Sequence, residues 1–305
     1  MPFISQFKIE DLSFPIRLDR YVSENMRLLS RSQIKVRQLK AKLNGKDVKL
    51  SRLVKPGDLL ELFWDDAPPC GIIPENIALE IIWENEKCFV INKAQGMVVH
   101  PGAGNRRGTL ANALCFLANN NEQFCNTRAG IVHRLDKDTS GLIIAAKDEE
   151  THAFLSEQFK TRTVKKTYAA IVCGAPKENK GKIETFIARD TRDRKKFAVC
   201  DKGRYALTYY KTIKKWQNHS LVLLRLKTGR THQLRVHLRF IGCPILGDPI
   251  YGNVDKQFAS ESLMLHSKKM EITIPGETIP RKFFTELPER FIETIKKLNK
   301  METRA

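Results

Sequence analysis

The run Gly141-Leu-Ile-Ile-Ala-Ala146 carries no polar side chain, and it constrains the fold more than any other stretch of the chain. An apolar run this short reads as a buried strand or strand end, and Ala129-Gly-Ile-Val-His133 reads the same way. Between them lies His133-Arg-Leu-Asp-Lys-Asp-Thr-Ser-Gly-Leu142, which sets Asp136 between Arg134 and Lys137. Charged groups caught between buried runs usually sit at a cleft. A carboxylate among cations suits nucleophilic or electrostatic work better than proton donation. The same ten residues also fit an ordinary surface turn rich in Asp, Thr, Ser and Gly.

Around this centre the chain alternates short strands with isolated helices, without a βαβ repeat. That pattern predicts an α+β domain with a mostly antiparallel or mixed sheet. Strands are expected at 79–83, 88–92, 205–213, 220–226 and 263–273, with a further β-rich segment at 163–174. Helices are expected at 110–118 behind Thr109 as cap, at 149–159, from about Thr231, and from about Pro288 to Lys300.

Before residue 65 the pattern changes. Leu18, Tyr21, Val22, Met26 and Leu29 share one face of a helix expected over 16–29. Ser30 and Gln33 make a capping-box pattern for a second helix, with Ile34, Leu39 and Leu43 on its apolar side. Asn44-Gly45 signals a tight turn, and strands are expected at 48–53 and 58–63. The Pro-rich stretch 65–74 then marks a boundary. The reading is therefore a small module at 14–66, a linker at 67–76 and a larger domain at 77–305.

Charge says what the module meets. The chain has 53 Lys and Arg against 34 Asp and Glu, a net charge of +19, and a polyanion is the usual reason for such an excess. Between Arg27 and Lys55 there are ten basic residues, Arg31, Lys35 and Arg37 among them, and one acidic residue, Asp47. No aromatic residue lies in that window, so phosphate contact rather than base stacking is expected. Arg192, Arg194, Lys195 and Lys196 form a second basic patch, for which RNA contact and plain solvation stay open.

Other classes find little support. No run of 18 apolar residues occurs, and the first 30 residues lack the apolar core of a signal peptide, so a soluble cytoplasmic protein is expected. The seven cysteines are widely spaced without a C-x-x-C pair, which points to reduced thiols rather than a disulfide framework or zinc site. His232 and His237 lack zinc-site spacing. The glycines of Pro101 to Gly108 fit neither a P-loop nor a dinucleotide fingerprint, so no cofactor is expected.

His133-Arg134-Leu135-Asp136 followed by Thr139-Ser140-Gly141-Leu142 resembles the signature loop of the RluA-type RNA pseudouridine synthases. Lys166-Thr-Tyr168-Ala-Ala, His232-Gln-Leu-Arg235 and Leu263-Met-Leu265-His266 resemble further family motifs in the same order. Asn92-Lys-Ala-Gln-Gly96 resembles the family's Lys-Pro-x-Gly turn, with Ala94 where Pro is usual. The pattern from Arg17 to Asp58 resembles the S4 RNA-binding domain that accompanies many members.

The resemblance implies a cofactor-independent isomerase that turns uridine into pseudouridine. Asp136 would be the catalytic carboxylate, Tyr168 the ring that stacks on the flipped base, and Arg235 the arginine whose planar fork holds both oxygens of Asp136. Arg134 would enter the RNA helix at the vacated position, and Leu265 would pack beneath the tyrosine. Whether Asp136 attacks the base, attacks the sugar or assists proton removal is not legible in residues. Large-subunit ribosomal RNA is the expected substrate. The alternatives are tRNA, or a non-catalytic RNA-binding assembly factor; a methyltransferase would need a Gly-rich cofactor loop after a strand.

Overall fold

The computed structural model describes residues 3–303 apart from 11, 13, 27, 30, 66–71, 103, 120–123, 126, 127, 194, 253 and 254. The chain divides into two compact units, Met1–Gly71 and Ile72–Ala305. Ser30, Cys70, Arg194 and most of the expected linker lie outside the described residues.

In the first unit, strands β1 (Phe3–Lys8), β3 (Lys40–Leu43), β4 (Lys46–Val48) and β6 (Leu59–Trp64) form a sheet in the order β1-β6-β3-β4. Two short strands, β2 (Ile16–Arg17) and β5 (Leu53–Val54), pair separately. The helix expected over 16–29 is a turn at Leu18–Arg20 that runs into a π-helix at Tyr21–Asn25, with Leu18 and Val22 buried. The second helix, α1 (Arg31–Val36), is shorter than its apolar spacing suggested. Gln38 turns left-handed at φ 49°, and the chain continues as β3. Leu39, Ala41 and Leu43 are all buried at a spacing of two, which suits a strand as well as spacing of four suits a helix. Asn44 and Gly45, both at positive φ, close the β3–β4 hairpin.

The second unit is built on a ten-stranded mixed sheet. Its strands are β7 (Glu80–Glu84), β8 (Cys88–Lys93), β9 (Ser140–Ala146), β10 (Lys165–Cys173), β11 (Lys180–Arg189), β12 (Phe197–Val199), β13 (Arg204–Lys215), β14 (His219–Leu226), β15 (Leu265–Ile272) and β16 (Arg281–Phe284). The order is β12-β11-β13-β14-β10-β15-β9-β8-β7, and β16 pairs with β15 alongside β9. Among the described residues only β15 and β9 run parallel. The expectations missed β11, β12 and β16 here, and β1, β2 and β3 in the first unit.

The helices are α2 (Leu110–Leu117), α3 (Glu149–Lys160), α4 (Gln233–Phe240) and α5 (Glu289–Glu302). They explain why β9 is buried at all seven positions. Ile143 and Ala145 face the core shared with Leu110, Leu114, Phe291 and Leu298 of α2 and α5. Leu142 and Ile144 face the core shared with Leu155 of α3. Two of the helix starts are capped locally: Thr109 and Asn112 form a capping box on α2, and Asp148 accepts from the Thr151 N–H at 2.8 Å on α3. The other apolar run, 129–133, is not a strand. Arg128, Ala129 and Gly130 all have positive φ, and only Ile131 bridges to Ala145. A Cβ on Gly130 would lie 1.9 Å from the Ala146 carbonyl oxygen, so glycine alone permits this approach.

Among the described residues no helix is long and apolar enough to cross a membrane. The six described cysteines are free.

Candidate active site

The polar decapeptide leads directly into β9 and forms one wall of a cleft of about 460 Å³. Such a volume suits a nucleoside-sized ligand. The turn is anchored from below: the Thr139 N–H donates to the Asp136 carbonyl at 3.1 Å, and the Gly96 N–H donates to the Lys137 carbonyl at 2.9 Å. The wholly buried Lys93 donates to the carbonyls of Ala94, Met97 and Lys137 at 2.8, 2.8 and 3.1 Å. Burial pulls its ammonium down to about 8 against the nearby Asp138 and Asp136. One cation thus joins the 93–97 turn to the Asp136 loop. His133, held neutral by burial, accepts the Ile144 N–H at 3.1 Å.

Tyr168 comes from the middle of β10 and is 4% exposed. It pairs with Ser267 of β15 and Leu224 of β14, next to a bulge between Thr167 and Tyr168. Leu265, also buried, lines the cleft beside it. Burial raises the phenol well above its ordinary value, opposed by a hydrogen bond with Ser267. Tyr168 is therefore a neutral apolar ring with a polar tip, not a base at neutral pH.

Arg235 and His232 come from the loop and helix after β14. That loop is tied down by the buried Gln233, whose Oε1 accepts from Thr228 Oγ1 at 2.8 Å and from the Arg230 N–H at 3.0 Å. Its Nε2 donates to Leu207 O and Thr208 Oγ1 of β13. His232, before α4, is left-handed at φ 56°, the kind of local strain that persists only when surroundings enforce it.

The structure brings Asp136, Tyr168 and Arg235 into the one cleft, with Arg134, exposed, at its edge. It corrects how the arginine is used. The sequence suggested that the fork of Arg235 holds both oxygens of Asp136; instead it holds Asp248, through Nε–Oδ2 at 2.8 Å and a second nitrogen to Oδ1 at 2.7 Å. The remaining terminal nitrogen reaches Asp136 Oδ2 at 3.5 Å, an ion contact longer than a hydrogen bond. Burial would pull Arg235 down, but the hydrogen bonds and charge of Asp248, with Asp136 behind them, raise it. Asp248 also accepts the N–H groups of Ile250 and Tyr251 at 2.9 and 3.0 Å. The Tyr251 ring lies 5.1 Å from the Arg235 guanidinium.

His232 is a site residue the sequence reading missed. Its Nε2 faces Asp136 Oδ2 at 3.8 Å, and its Nδ1 shares a 2.9 Å hydrogen bond with the Tyr251 hydroxyl. Burial lowers its basicity despite the attraction of Asp136, so the imidazole is neutral at neutral pH. The only signal in the chain was its place beside Gln233 and Arg235, since ring contacts with Tyr251 depend on folding. Both contacts to Asp136 go to Oδ2, and among the described residues no group hydrogen-bonds Oδ1. With its side chain 22% exposed, Asp136 has one oxygen free to meet a ligand.

The basic residues of the first unit are arranged differently from a uniform stripe. Arg31 is paired with Glu24 at 2.8 Å, Lys35 is exposed, and Arg37 is half-buried with Nε unbonded. Away from the cleft, donor atoms of Cys173, His219 and Asp255 lie within 4.8 Å of one another, a spacing that could hold a metal ion. There His219 and Asp255 already share a 2.9 Å hydrogen bond.

A family model described as RNA pseudouridylate synthase matches residues 87–240, which contain Asp136, Tyr168 and Arg235. The chain is 44% identical over 289 residues to the ribosomal large subunit pseudouridine synthase D of Borreliella burgdorferi, covering 91% of this chain and 88% of that protein. It is 36% identical to the protein of the same name from Pseudomonas aeruginosa, covering 90% of each. Among solved structures, human RNA pseudouridylate synthase domain containing 4 is 27% identical with a TM-score of 0.58, over 72% of this chain and 93% of that one.

Proposed function

The chain belongs to the RNA pseudouridine synthase family and is an RNA pseudouridine synthase, and on that premise we propose that it modifies uridines of large-subunit ribosomal RNA with Asp136 as the catalytic carboxylate. The observation that carries the assignment of Asp136 is its partly exposed side chain, with one oxygen unclaimed, opening on a cleft walled by Tyr168 and steadied by Arg235. The names of the two bacterial relatives support the ribosomal target.

The isomerisation breaks the bond from C1' to N1 of uracil and forms one from C1' to C5. The proton on C5 leaves, and N1 gains one. No electron or group is exchanged with another molecule, so what the residues must supply is position and charge. The free oxygen of Asp136 meets the target nucleotide, while Oδ2 is held toward the Arg235 and His232 nitrogens. Tyr168 offers its ring as a stacking surface for the extruded base, a contact that contributes about 1–3 kcal/mol in single-strand binding. Arg134 fills the space left in the RNA, and Leu265 packs with Tyr168. Extrusion itself costs a few kcal/mol, and a basic cleft helps offset it.

We assign residues 14–66 as an S4-like RNA-binding domain and 77–305 as the catalytic domain, joined by 67–76, in a protein working in the cytoplasm. Arg31, Lys35 and Arg37 are the proposed phosphate contacts of the first domain. The test is incubation with ribosomal RNA tritiated at uridine C5. Tritium release from large-subunit RNA that disappears in Asp136→Asn, with RNA affinity retained, is expected. Release that persists in that variant removes Asp136 from the chemistry, and release from tRNA alone reassigns the substrate.

A further inference from the structure

Part of the cleft's positive charge has no carboxylate partner among the described residues. Lys166 lies two residues before Tyr168 on β10, so the pleat sends both side chains to one face, and both line the cleft. The neighbouring Lys165 ion-pairs with Glu271. Lys166, half-buried, has no carboxylate partner among the described residues; its ammonium lies 5.3 Å from the Phe159 ring centre. That ring stacks on His133 at 4.4 Å between centroids, which fixes the wall on which the ammonium rests. Burial pulls Lys166 down to about 8, and no acidic group opposes the shift.

The same wall carries Arg162 and Arg230. Neither is ion-paired among the described residues. Burial and repulsion from Arg162 and Arg204 lower Arg230, whose Nε is anchored on the Tyr205 carbonyl at 3.0 Å. Lys166 and Arg230 are partly desolvated, and Arg230 is also repelled by Arg162; cations held in this way without an acid raise the free energy of the empty protein. An anion entering between them removes that cost, and a diester phosphate has the charge and acceptors to do so.

We propose that Lys166, with Arg162 and Arg230, forms a phosphodiester subsite that grips a backbone phosphate flanking the uridine presented to Asp136. The proposal rests on the reading of the cleft as a uridine site. Phosphate contacts set register rather than sequence; this one would hold the sugar against Asp136 while the base turns. Phe159 keeps the ammonium in place, so Lys166 acts by touching the substrate and not by supporting the fold.

A cycle of protein and RNA changes tests it. The probe is a synthetic stem-loop of large-subunit ribosomal RNA with one loop uridine, tritiated at C5. It is made with normal linkages, or with a neutral methylphosphonate on the 5' or the 3' side of that uridine. Affinity and tritium release are measured for wild type, Lys166→Met and Lys166→Arg. On normal RNA, Lys166→Met should lose about 10- to 100-fold in kcat/KM, the range for a charge-assisted hydrogen bond. One of the two neutral linkages should cost the wild type a similar factor but cost Lys166→Met less than about twofold, because the partner is already gone. Lys166→Arg should keep the wild-type sensitivity to that linkage. Equal penalties in wild type and Lys166→Met at both linkages would overturn the subsite, as a purely structural lysine predicts. If the wild type binds the probe without releasing tritium, the reading of the cleft fails on its own account, and the affinity cycle still decides the subsite.

Discussion

Asp248→Asn tests what holds Arg235 in the cleft. Asp248 is wholly buried and receives four hydrogen bonds: two from Arg235 at 2.8 and 2.7 Å, and two from the backbone at 2.9 and 3.0 Å. In the asparagine an oxygen in the Oδ1 position keeps three of these, but an amide N–H₂ then faces the Arg235 Nε–H, donor against donor. Arg235 is left with Asp136 at 3.5 Å as its nearest anion. Breaking a buried pair this way costs about 3–5 kcal/mol, which for a domain of this size lowers Tm by roughly 6–20 °C. Asp136→Asn removes the other carboxylate facing the same guanidinium. Because that side chain is 22% exposed and its contact is long, the loss is about 0–1 kcal/mol. Thermal unfolding of the two variants gives the stability order, and tritium release gives kcat. Both should lose turnover, Asp248→Asn through a misplaced Arg235. A Tm for Asp248→Asn within a degree or two of wild type, or one above that of Asp136→Asn, would refute the assignment of Asp248 as the anchor.

Three further outcomes follow from the geometry. Tyr168→Phe keeps the ring, whereas Tyr168→Leu should weaken binding of the target RNA by about 1–3 kcal/mol; equal turnover in the two would remove the stacking role. His237 and His266 are pushed down to about 4 by burial, so between their unfolded value near 6.5 and that point the unfolded chain binds more protons. Their stabilisation is present above pH 6.5 and is lost as pH falls toward 4, at up to about 1.4 kcal/mol per pH unit for each; urea unfolding that is flat from pH 6.5 to 5 would contradict this. Gly141 has φ 108°, and a Cβ there would lie 2.3 Å from the Ser267 carbonyl oxygen, so Gly141→Ala should cost at least about 1–3 kcal/mol and loosen β9 from β15; an unchanged unfolding midpoint would show that the strands can part without loss.

Much of the frame was readable along the chain, because strand and helix patterns come from sterics over a few residues. The apolar run at Gly141–Ala146, the Thr109 cap and the helix at Glu149–Lys160 needed no knowledge of the fold. Where one pattern served two structures, the chain alone misled: Leu39 and Leu43 fit a helix at spacing four and, with Ala41, a strand at spacing two, and the left-handed Gln38 decided for β3. The decapeptide, Tyr168 and Arg235 could be picked out one by one, each by its neighbours in the chain. Which carboxylate Arg235 would clasp could not, because Asp136 and Asp248 carry the same charge in one-dimensional text. Folding separated them by burying Asp248 completely beside the guanidinium and leaving Asp136 partly in water. The strong pair formed where solvent could no longer compete, and the partly exposed acid kept only a long contact to the same guanidinium.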